Sequence, residues 1–217
     1  MLINLKLDDK TILIFGGGSI GERKTKKFLH TNSKVMILGK DFTSELKKIS
    51  KSHNIELKQI DLKKNFSSII PLIAKSDIVI AALDDSLLNK RISSEARKKS
   101  VLVNVVDDPN LSDFYVPATT SIGEIDVAIS TKGKSPAMAG ILRKKIQKCI
   151  TPEEILQVEL QDYARKLLKN CDFDRETRRE LLYSIIKNSR INNLLKEEKI
   201  EEAKNLVNRI IKNNQKI

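Results

Sequence analysis

Short apolar runs alternate with charged, helix-forming segments over the first half of the chain. The runs are TILIF, KVMIL, IELKQI, DIVIAAL and VLVNVV, and they lie between residues 11 and 106. Strands that alternate with helices at this spacing indicate βαβ units and a parallel sheet. A continuous apolar run such as DIVIAAL suits a strand that is covered on both faces. We therefore predict an α/β domain over residues 1–113, with a Rossmann-like, doubly wound parallel sheet.

The pattern changes after Asp107. The segment DDPNLSDFYVP contains two prolines and is too irregular for a helix. In EIDVAIST, three large apolar residues alternate with polar or small ones, which predicts a half-buried strand of the antiparallel type. Farther on, Ser135 is predicted to cap a helix whose first residue is Pro136. Residues 114–150 are thus predicted to form a small α+β dimerisation segment, in which the dimer rests on the resemblance described below.

From Thr151 onward the pattern is helical. Thr151, Pro152 and Glu154 match a capping box, which predicts a helix that begins there and runs toward Leu168. Two more helical patterns follow, around residues 176–188 and 196–211. We therefore predict a helical C-terminal domain over residues 151–217.

Composition bears on location and on metal chemistry. Hydrophobic residues make up 40% of the 217, yet no apolar run approaches the roughly 18 residues of a membrane span. The N-terminal stretch MLINLKLDDK lacks the features of a secretory signal, so we expect a cytoplasmic protein with no membrane partner. Cys149 and Cys171 are too few for a disulfide framework, and His30 and His53 show no metal-binding spacing. The sequence therefore predicts no metal-binding residues.

The formal net charge of +12 favours an acidic partner. Nucleic acid, an anionic surface, or a small molecule with several carboxylates or phosphates would each fit. Aromatic residues make up only 4% of the chain and are scattered, whereas nucleic-acid-binding proteins often place them among the basic residues. We therefore predict no nucleic-acid partner.

A glycine-rich turn follows the first predicted strand. Gly16, Gly18 and Gly21 form GxGxxG directly after TILIF and directly before a predicted helix. In dinucleotide-binding turns the first glycine makes the tight turn, the second lets a pyrophosphate approach the backbone, and the third lets the helix pack closely. Amide groups at the start of the helix then face the anion. This context predicts dinucleotide binding rather than an ordinary turn.

The acid that usually ends the second strand of such a fold is absent. Its position is Gly39, which is followed by Lys40 and Asp41. Asp41 or backbone groups could bind the ribose hydroxyls, and Lys40 is compatible with a 2′-phosphate. The sequence therefore leaves the choice between NAD and NADP open.

In doubly wound sheets, ligands bind beyond the carboxyl ends of the strands. The segments after the fourth and fifth predicted strands, residues 83–85 and 104–108, are therefore candidates. Asp107 and Asp108 are adjacent acids in the second of these, and a carboxylate beside a nicotinamide ring could accept a proton while hydride leaves. Aspartates before Pro109 equally fit an ordinary turn, so both interpretations stay open.

Four motifs resemble those of the precorrin-2 dehydrogenases, the dehydrogenase and chelatase module of siroheme synthases. In chain order they are FGGGSIGERK, AALDDSLLNKRIS, NVVDDPNLSDFYVPA and STKGKSPAMAGILRKKI, all within residues 1–150. Four motifs in order are far more specific than a glycine turn alone. The resemblance implies NAD-dependent oxidation of precorrin-2 to sirohydrochlorin, on the route to sirohaem, by a homodimer. In some members of the family the same site also inserts Fe²⁺.

The resemblance also implies roles for individual residues. Asp107 would be the general base, Asn104 would border the site, and Ser135 would begin the helix that lines the tetrapyrrole cleft. Arg143 is a candidate contact for the carboxylates of precorrin-2, although a solvated basic face is the alternative. The family's usual GGTSP reads KGKSP here, which leaves any role of its small residues open. The implied cofactor-binding residues are Gly16, Gly18, Ser19, Ile20 and Gly21 at the pyrophosphate, Gly39, Lys40 and Asp41 at the ribose, and Leu83, Asp84 and Asp85 beside the nicotinamide.

A second hypothesis is a non-catalytic module that senses NAD(H) and regulates a partner. It accounts for the glycine turn and for the helical C-terminal region. It leaves the NVVDDP segment without a role, however, and the dehydrogenase is therefore the favoured interpretation.

Overall fold

The computed structural model describes residues 2–215, which divide into two compact units with a boundary between Val116 and Pro117. Most of the predicted segment 114–150 therefore falls in the same unit as the C-terminal helices. Each unit has its own hydrophobic core.

The first unit contains a parallel five-stranded sheet. Its elements are β1 (Thr11–Phe15), α1 (Ser19–Thr25), β2 (Lys34–Gly39), α2 (Ser44–Ile49), β3 (Ile55–Gln59), α3 (Ile70–Ala74), β4 (Ile78–Ala81), α4 (Ser86–Lys98) and β5 (Leu102–Val105), with short 3₁₀ turns at Lys26–Phe28, Phe66–Ile69 and Pro109–Leu111. The strand order is β3-β2-β1-β4-β5, and every pair is parallel. All five predicted strands and the Rossmann-like fold are confirmed.

The strand β1 shows why the sheet is buried on both faces. Ile12 and Ile14 pack on one face in a cluster with Leu46 of α2, and Leu13 packs on the other face with Ile92 of α4. All five side chains are buried. Because successive side chains of a strand point to opposite faces, a sheet between two helical layers requires a continuous apolar run. The parallel order also places the carboxyl ends of all five strands at one edge of the sheet.

The outer edge of β5 is closed by side chains rather than by a sixth strand. Asp113 accepts a hydrogen bond from the Val103 amide at 3.0 Å, and its own amide donates to the Val103 carbonyl at 2.7 Å. The Ser112 hydroxyl accepts from the Val105 amide at 2.8 Å and donates to the Val105 carbonyl at 3.1 Å. An ion pair of 3.1 Å between Arg97 and Asp113 holds this segment to α4. The irregular segment after Asp107 is therefore firmly attached to the sheet.

The second unit begins with a β-hairpin and continues with helices. Its elements are β6 (Ala118–Ile122), β7 (Ile125–Ile129), α5 (Pro136–Cys149), α6 (Pro152–Lys169), α7 (Arg175–Lys187), α8 (Ser189–Lys196) and α9 (Ile200–Asn214). The two strands are antiparallel, and α5 packs against both. The helices α6 to α9 share a buried apolar cluster. Both predicted caps are confirmed: Ser135 caps α5, and Thr151 and Glu154 form the capping box of α6. Within residues 2–215, no helix combines the length and the apolar character needed to cross a membrane.

The predicted helix over 196–211 is wrong at its start, because α8 ends at Lys196 and α9 begins at Ile200. The break is a Schellman motif: the Lys199 amide donates to the Leu194 carbonyl at 2.8 Å, and the Glu198 amide donates to the Leu195 carbonyl at 3.0 Å. Glu198 has a φ of 57° at the position where glycine is usual. The sequence therefore lacks the glycine that would have marked the end of α8.

Candidate functional site

The three glycines of GxGxxG have three different surroundings. Gly16 has a φ of 116°, and a Cβ there would overlap the Ala82 carbonyl of the segment after β4. A Cβ on Gly21 would overlap the Gly16 carbonyl, whereas a Cβ on Gly18 would meet no atom within 4 Å. Gly16 and Gly21 thus allow the turn and the close packing of α1. The exposed backbone of Gly18 leaves open space for a ligand.

Gly18 is also the N-cap residue of α1, and the first turn of this helix has no side-chain cap. Free amides at the start of a helix bind phosphate groups, because their N–H dipoles point at the anion. An open glycine backbone directly before such amides fits a pyrophosphate, which is the group that a dinucleotide would present here.

A cavity of about 500 Å³ lies against this turn. It brings together nine of the eleven predicted cofactor-binding residues. Of the other two, Gly21 packs against Gly16, and Asp85 caps α4. The residues that line this cavity are Gly16, Gly17, Gly18, Ser19, Ile20, Gly39, Lys40, Asp41, Phe42, Thr43, Ala82, Leu83 and Asp84.

The end of β2 explains why the expected ribose-binding acid is absent. A Cβ on Gly39 would lie 2.9 Å from the Gly17 nitrogen and 3.3 Å from the Asp41 carbonyl oxygen. A side chain at this position is therefore excluded by the glycine turn itself. Asp41 is exposed, and the Lys40 carbonyl accepts a hydrogen bond of 2.9 Å from the Gln59 side chain. Backbone groups and the exposed side chains of residues 40 and 41 are what this segment offers to a ribose.

A second cavity, of about 620 Å³, shares Lys40, Leu83 and Asp84 with the first. The rest of its lining is residues 85–88 at the start of α4 and the segment 60–63 after β3, which the sequence did not single out. Lys63 forms an ion pair of 2.9 Å with Asp85, and this hydrogen bond holds the pKa of Asp85 below its ordinary value and raises the pKa of Lys63. The two cavities together give a continuous lining along the carboxyl ends of β1 to β4.

Asp107 follows β5 at the same edge of the sheet, and it is exposed. Its Oδ1 atom accepts a hydrogen bond of 3.0 Å from the side-chain amide of Asn89 in α4. The neighbouring acid, Asp108, is used differently, because its Oδ1 atom accepts from the Asn110 amide at 2.9 Å and caps the 3₁₀ turn. Asp108 thus has the turn-forming role that the sequence left open for both aspartates. Asp107 presents a carboxylate that no turn requires.

Asn89 also binds the segment after β4. Its Nδ2 atom donates to the Leu83 carbonyl at 2.9 Å, and its Oδ1 atom accepts from the Leu83 amide at 3.2 Å. Asn89 is fully buried. In the sequence, Asn89 is one residue of the motif AALDDSLLNKRIS. Nothing in the sequence indicated that Asn89 joins residues 83 and 107, because its contact with Asp107 depends on β5 lying beside β4.

Asn104 is a buried residue of β5 with partners on both of its amide atoms. Its Oδ1 atom accepts from the Lys24 ammonium at 2.9 Å, and its Nδ2 atom donates to the Phe114 carbonyl at 2.9 Å. Burial lowers the pKa of Lys24, and the nearby charges of Arg23 and Lys27 lower it further. Asn104 therefore connects α1 to the segment after β5 and holds a half-buried cation between them.

Ser135 and Arg143 belong to the second unit. The Ser135 hydroxyl accepts from the Met138 amide at 3.2 Å, and its own amide donates to the Thr131 hydroxyl at 3.1 Å. Arg143 is half-buried on α5. Their contacts with a substrate stay predictions. Across the part of the chain that the structure describes, no three or more His, Cys, Asp or Glu side chains are grouped to hold a metal ion.

Known proteins resemble this chain in sequence and in fold. A family model described as NAD(P)-binding matches residues 3–118. A precorrin-2 dehydrogenase of Methanosarcina barkeri is 33% identical over 188 residues, which cover 86% of this chain and 83% of that protein. A siroheme synthase of Blochmanniella pennsylvanica is 29% identical over 214 residues, which cover 99% of this chain and 44% of that protein.

The solved structure of SirC, a precorrin-2 dehydrogenase, matches with a TM-score of 0.72 and 19% identity, covering 96% of this chain and 99% of that one. This match concerns the fold, and it extends through both units. The sequence matches, the parallel sheet and the open glycine turn agree with one another. The chain belongs to the precorrin-2 dehydrogenase family.

Proposed function

We propose that this chain oxidises precorrin-2 to sirohydrochlorin with NAD⁺ as the hydride acceptor, in the biosynthesis of sirohaem. The observation that carries this proposal is the arrangement at the carboxyl edge of the sheet. The open glycine turn and the exposed carboxylate of Asp107 lie at this edge, and Asn89 joins the carboxylate to Leu83 in the cavity wall. Relatives of the chain are named for this reaction.

The residues present fit a dinucleotide. The amides of the glycine turn would hold the pyrophosphate, and the two cavities, about 500 and 620 Å³, have the volume of typical cofactor sites. When bound, NAD⁺ supplies a nicotinamide ring that accepts a hydride. The chain's part is to orient the reactants and to handle the proton. Preference for NAD over NADP rests on the exposed residues Lys40 and Asp41, and NAD is the one we propose.

Oxidation of precorrin-2 removes one hydride and one proton, and the proton needs an acceptor. Asp107 is the proposed general base, since its carboxylate is exposed at the edge where the cofactor cavity opens. Positioned acid and base groups typically contribute about 10²- to 10⁴-fold to a rate. Asn104 would border the substrate and hold the Lys24 ammonium close by.

Charge suits the proposed substrate. Precorrin-2 carries carboxylate side chains, and a net charge of +12 increases the rate of encounter with such an anion. We propose that Ser135 begins the helix that lines the substrate cleft and that Arg143 contacts a substrate carboxylate. No role for nucleic acid or a membrane is proposed, and the expected location is the cytoplasm.

A homodimer is part of the proposal. The helix α5 exposes a stripe of four apolar side chains, which we call the α5 stripe: Met138, Ile141, Leu142 and Ile146. Ile141, Leu142 and Ile146 lie three, four and eight residues after Met138, so the four share one side of the helix. An exposed contiguous apolar surface of this kind is typical of a protein contact.

The deciding experiment supplies precorrin-2 and NAD⁺ to the purified protein and follows NADH and sirohydrochlorin by their spectra. We expect turnover, and we expect Asp107→Asn to lower kcat by about 10²-fold or more while NAD⁺ still binds. Asp108→Asn is the matched control, because it alters a neighbouring carboxylate that caps a turn. It should keep most of the activity.

Two other results of this experiment would contradict parts of the proposal. NAD(H) binding without turnover would exclude the dehydrogenase and favour the non-catalytic NAD(H)-sensing module. Full activity in Asp107→Asn would remove Asp107 from its role as the base. Relatives named siroheme synthase make iron insertion a second candidate activity, which is measured by adding Fe²⁺ to preformed sirohydrochlorin with and without the protein.

A further inference from the structure

We propose that Asn89 is a positioning residue, which orients the Asp107 carboxylate and fixes it relative to the cofactor-side segment at Leu83. This inference rests on the proposed function, because it assigns Asp107 the role of base. The contacts themselves are properties of the chain without any ligand.

The amide of Asn89 has its donors fully used. The NH₂ group has two hydrogens, and it donates to the Leu83 carbonyl at 2.9 Å and to Asp107 Oδ1 at 3.0 Å. The amide oxygen accepts from the Leu83 amide at 3.2 Å. A flipped amide would turn its oxygen toward the Leu83 carbonyl and the Asp107 carboxylate, both of which are acceptors. The network therefore permits one orientation of this side chain.

The helix α4 holds Asn89 in place. Asp85 caps the helix by accepting from the amides of Leu87 and Leu88, and the Asn89 amide donates to the Asp85 carbonyl at 3.0 Å. One turn later, Ile92 is fully buried in the core. A buried side-chain amide is costly unless it is hydrogen-bonded, and an apolar residue here would leave the Leu83 amide and carbonyl without their partner. Packing alone therefore does not account for an asparagine here.

The contact determines which part of the Asp107 carboxylate is free. Oδ1 is held by Asn89, and within residues 2–215 no hydrogen-bond partner is found for Oδ2. Oδ2 is thus the atom available to take a proton. Leu83 belongs to the walls of both cavities, so one buried side chain sets the relation between the cofactor segment and the base.

A double-mutant cycle tests whether Asn89 acts through Asp107. We expect Asn89→Ala to lower kcat about 10- to 100-fold in the natural protein, since small misplacements of a reacting group have effects of this size. In an Asp107→Asn background, the same change should have almost no further effect on kcat. Equal losses in both backgrounds would show that Asn89 serves only the fold, and the proposal would be wrong.

Ser93→Ala is the matched control. Ser93 is also a buried polar residue of α4, and its hydroxyl donates to the Leu111 carbonyl at 2.8 Å. It makes no hydrogen bond to residue 83 or residue 107. We expect its replacement to change stability by about as much as other lost hydrogen bonds, with kcat unchanged.

A measurement without substrate or cofactor separates this inference from the proposed function. In the ligand-free protein, Asp107→Asn should shift the side-chain NH₂ resonances of Asn89, because one of their hydrogens loses a charged acceptor, whereas Asp108→Asn should leave them in place. Asn89 resonances that are unchanged in Asp107→Asn would overturn the positioning role, whether or not precorrin-2 is oxidised. A clear response with no turnover would instead overturn the dehydrogenase and leave the contact established.

Discussion

The backbone nitrogen of Gly17 lies so close to Gly39 that a Cβ on Gly39 would come within 2.9 Å of it. Gly17 comes two residues after Phe15 and Gly39 comes directly after Leu38, and Phe15 and Leu38 are paired between β1 and β2. The place where many dinucleotide-binding folds carry an acid is thus taken by the backbone of the glycine turn. Adding an acid at residue 39 would therefore disturb the glycine turn, although a comparison of motifs alone would predict tighter binding of the cofactor.

Gly39→Asp, which introduces the missing acid, should weaken NAD⁺ binding rather than strengthen it. The new Cβ would displace the turn that holds the pyrophosphate, and forced overpacking of this kind costs about 1–3 kcal/mol. Binding is measured by NADH fluorescence and stability by urea unfolding. Asp41→Asn is the control, since it removes a nearby exposed carboxylate and should leave stability unchanged. Affinity equal to that of the natural protein in Gly39→Asp would contradict this account.

Gly18→Ala should weaken NAD⁺ binding, whereas Gly21→Ala should destabilise the fold. At Gly18 the φ is −81°, and a Cβ would stand in open space, so the free energy of unfolding should fall by no more than about 1 kcal/mol. NAD⁺ affinity should fall at least about 10-fold, because the methyl group would occupy the space left for the pyrophosphate. At Gly21 the methyl group would collide with the Gly16 carbonyl, and unfolding should become easier by about 1–3 kcal/mol.

Thermal or urea unfolding beside NADH titration distinguishes the two glycine variants. Unchanged NAD⁺ affinity in Gly18→Ala would show that the ligand does not approach the turn at this point. Unchanged stability in Gly21→Ala would show that α1 can move away from β1 at little cost.

The free energy of unfolding should depend on pH through Lys24. Burial holds the pKa of Lys24 in the folded chain below its ordinary value of 10.5. Between these two values the unfolded chain binds more protons than the folded one, so stability rises with pH in that interval. Lys24→Met should lack this rise. Urea unfolding of both proteins from neutral pH toward pH 10.5 measures the difference, which should grow in favour of the natural protein. Parallel curves would contradict the prediction.

Ile141→Glu should disrupt the proposed homodimer. Ile141 is the most exposed side chain of the α5 stripe, at 57%, and a buried, unpaired carboxylate in a dimer contact would be strongly unfavourable. Gln147→Glu adds the same charge to an exposed residue of α5 outside the stripe and should leave the dimer intact. Sedimentation velocity reports the mass in solution. A dimer that survives Ile141→Glu would place the contact elsewhere, and a monomeric natural protein would exclude the dimer.

Local interactions explain the parts of the fold that the sequence predicted. The five parallel strands are buried on both faces, so each leaves a continuous apolar run. Ser135 and Thr151 cap helices within three residues of themselves, so their signal is complete in the sequence. The strand β6 was missed, because ATTSI takes its strand character from pairing with β7. Buried residues recur every four positions within α8 and again within α9, and the two series are eight residues apart, which hid the break at Glu198.

The part of the site that is formed by neighbouring residues could be predicted from the sequence. The parts that bring different strands and helices together could not. Gly16, Gly18 and Gly21 form one turn, and their spacing alone shows it. The segment 60–63 reaches the second cavity only because β3 lies beside β2. Asn89 and Asp107 are 18 residues apart, and they meet because β4 and β5 are neighbours at one edge. No spacing rule in one sequence encodes such a pairing.

The closed edge of β5 also bears on how the chain avoids misassembly. An open edge strand is a template for pairing with another molecule, and it promotes aggregation. Here the groups of Val103 and Val105 that a foreign strand would need are occupied by Ser112 and Asp113. During synthesis that edge stays exposed until residues 112 and 113 dock. Once this short segment has docked, the edge of β5 no longer offers a template for edge-to-edge polymerisation.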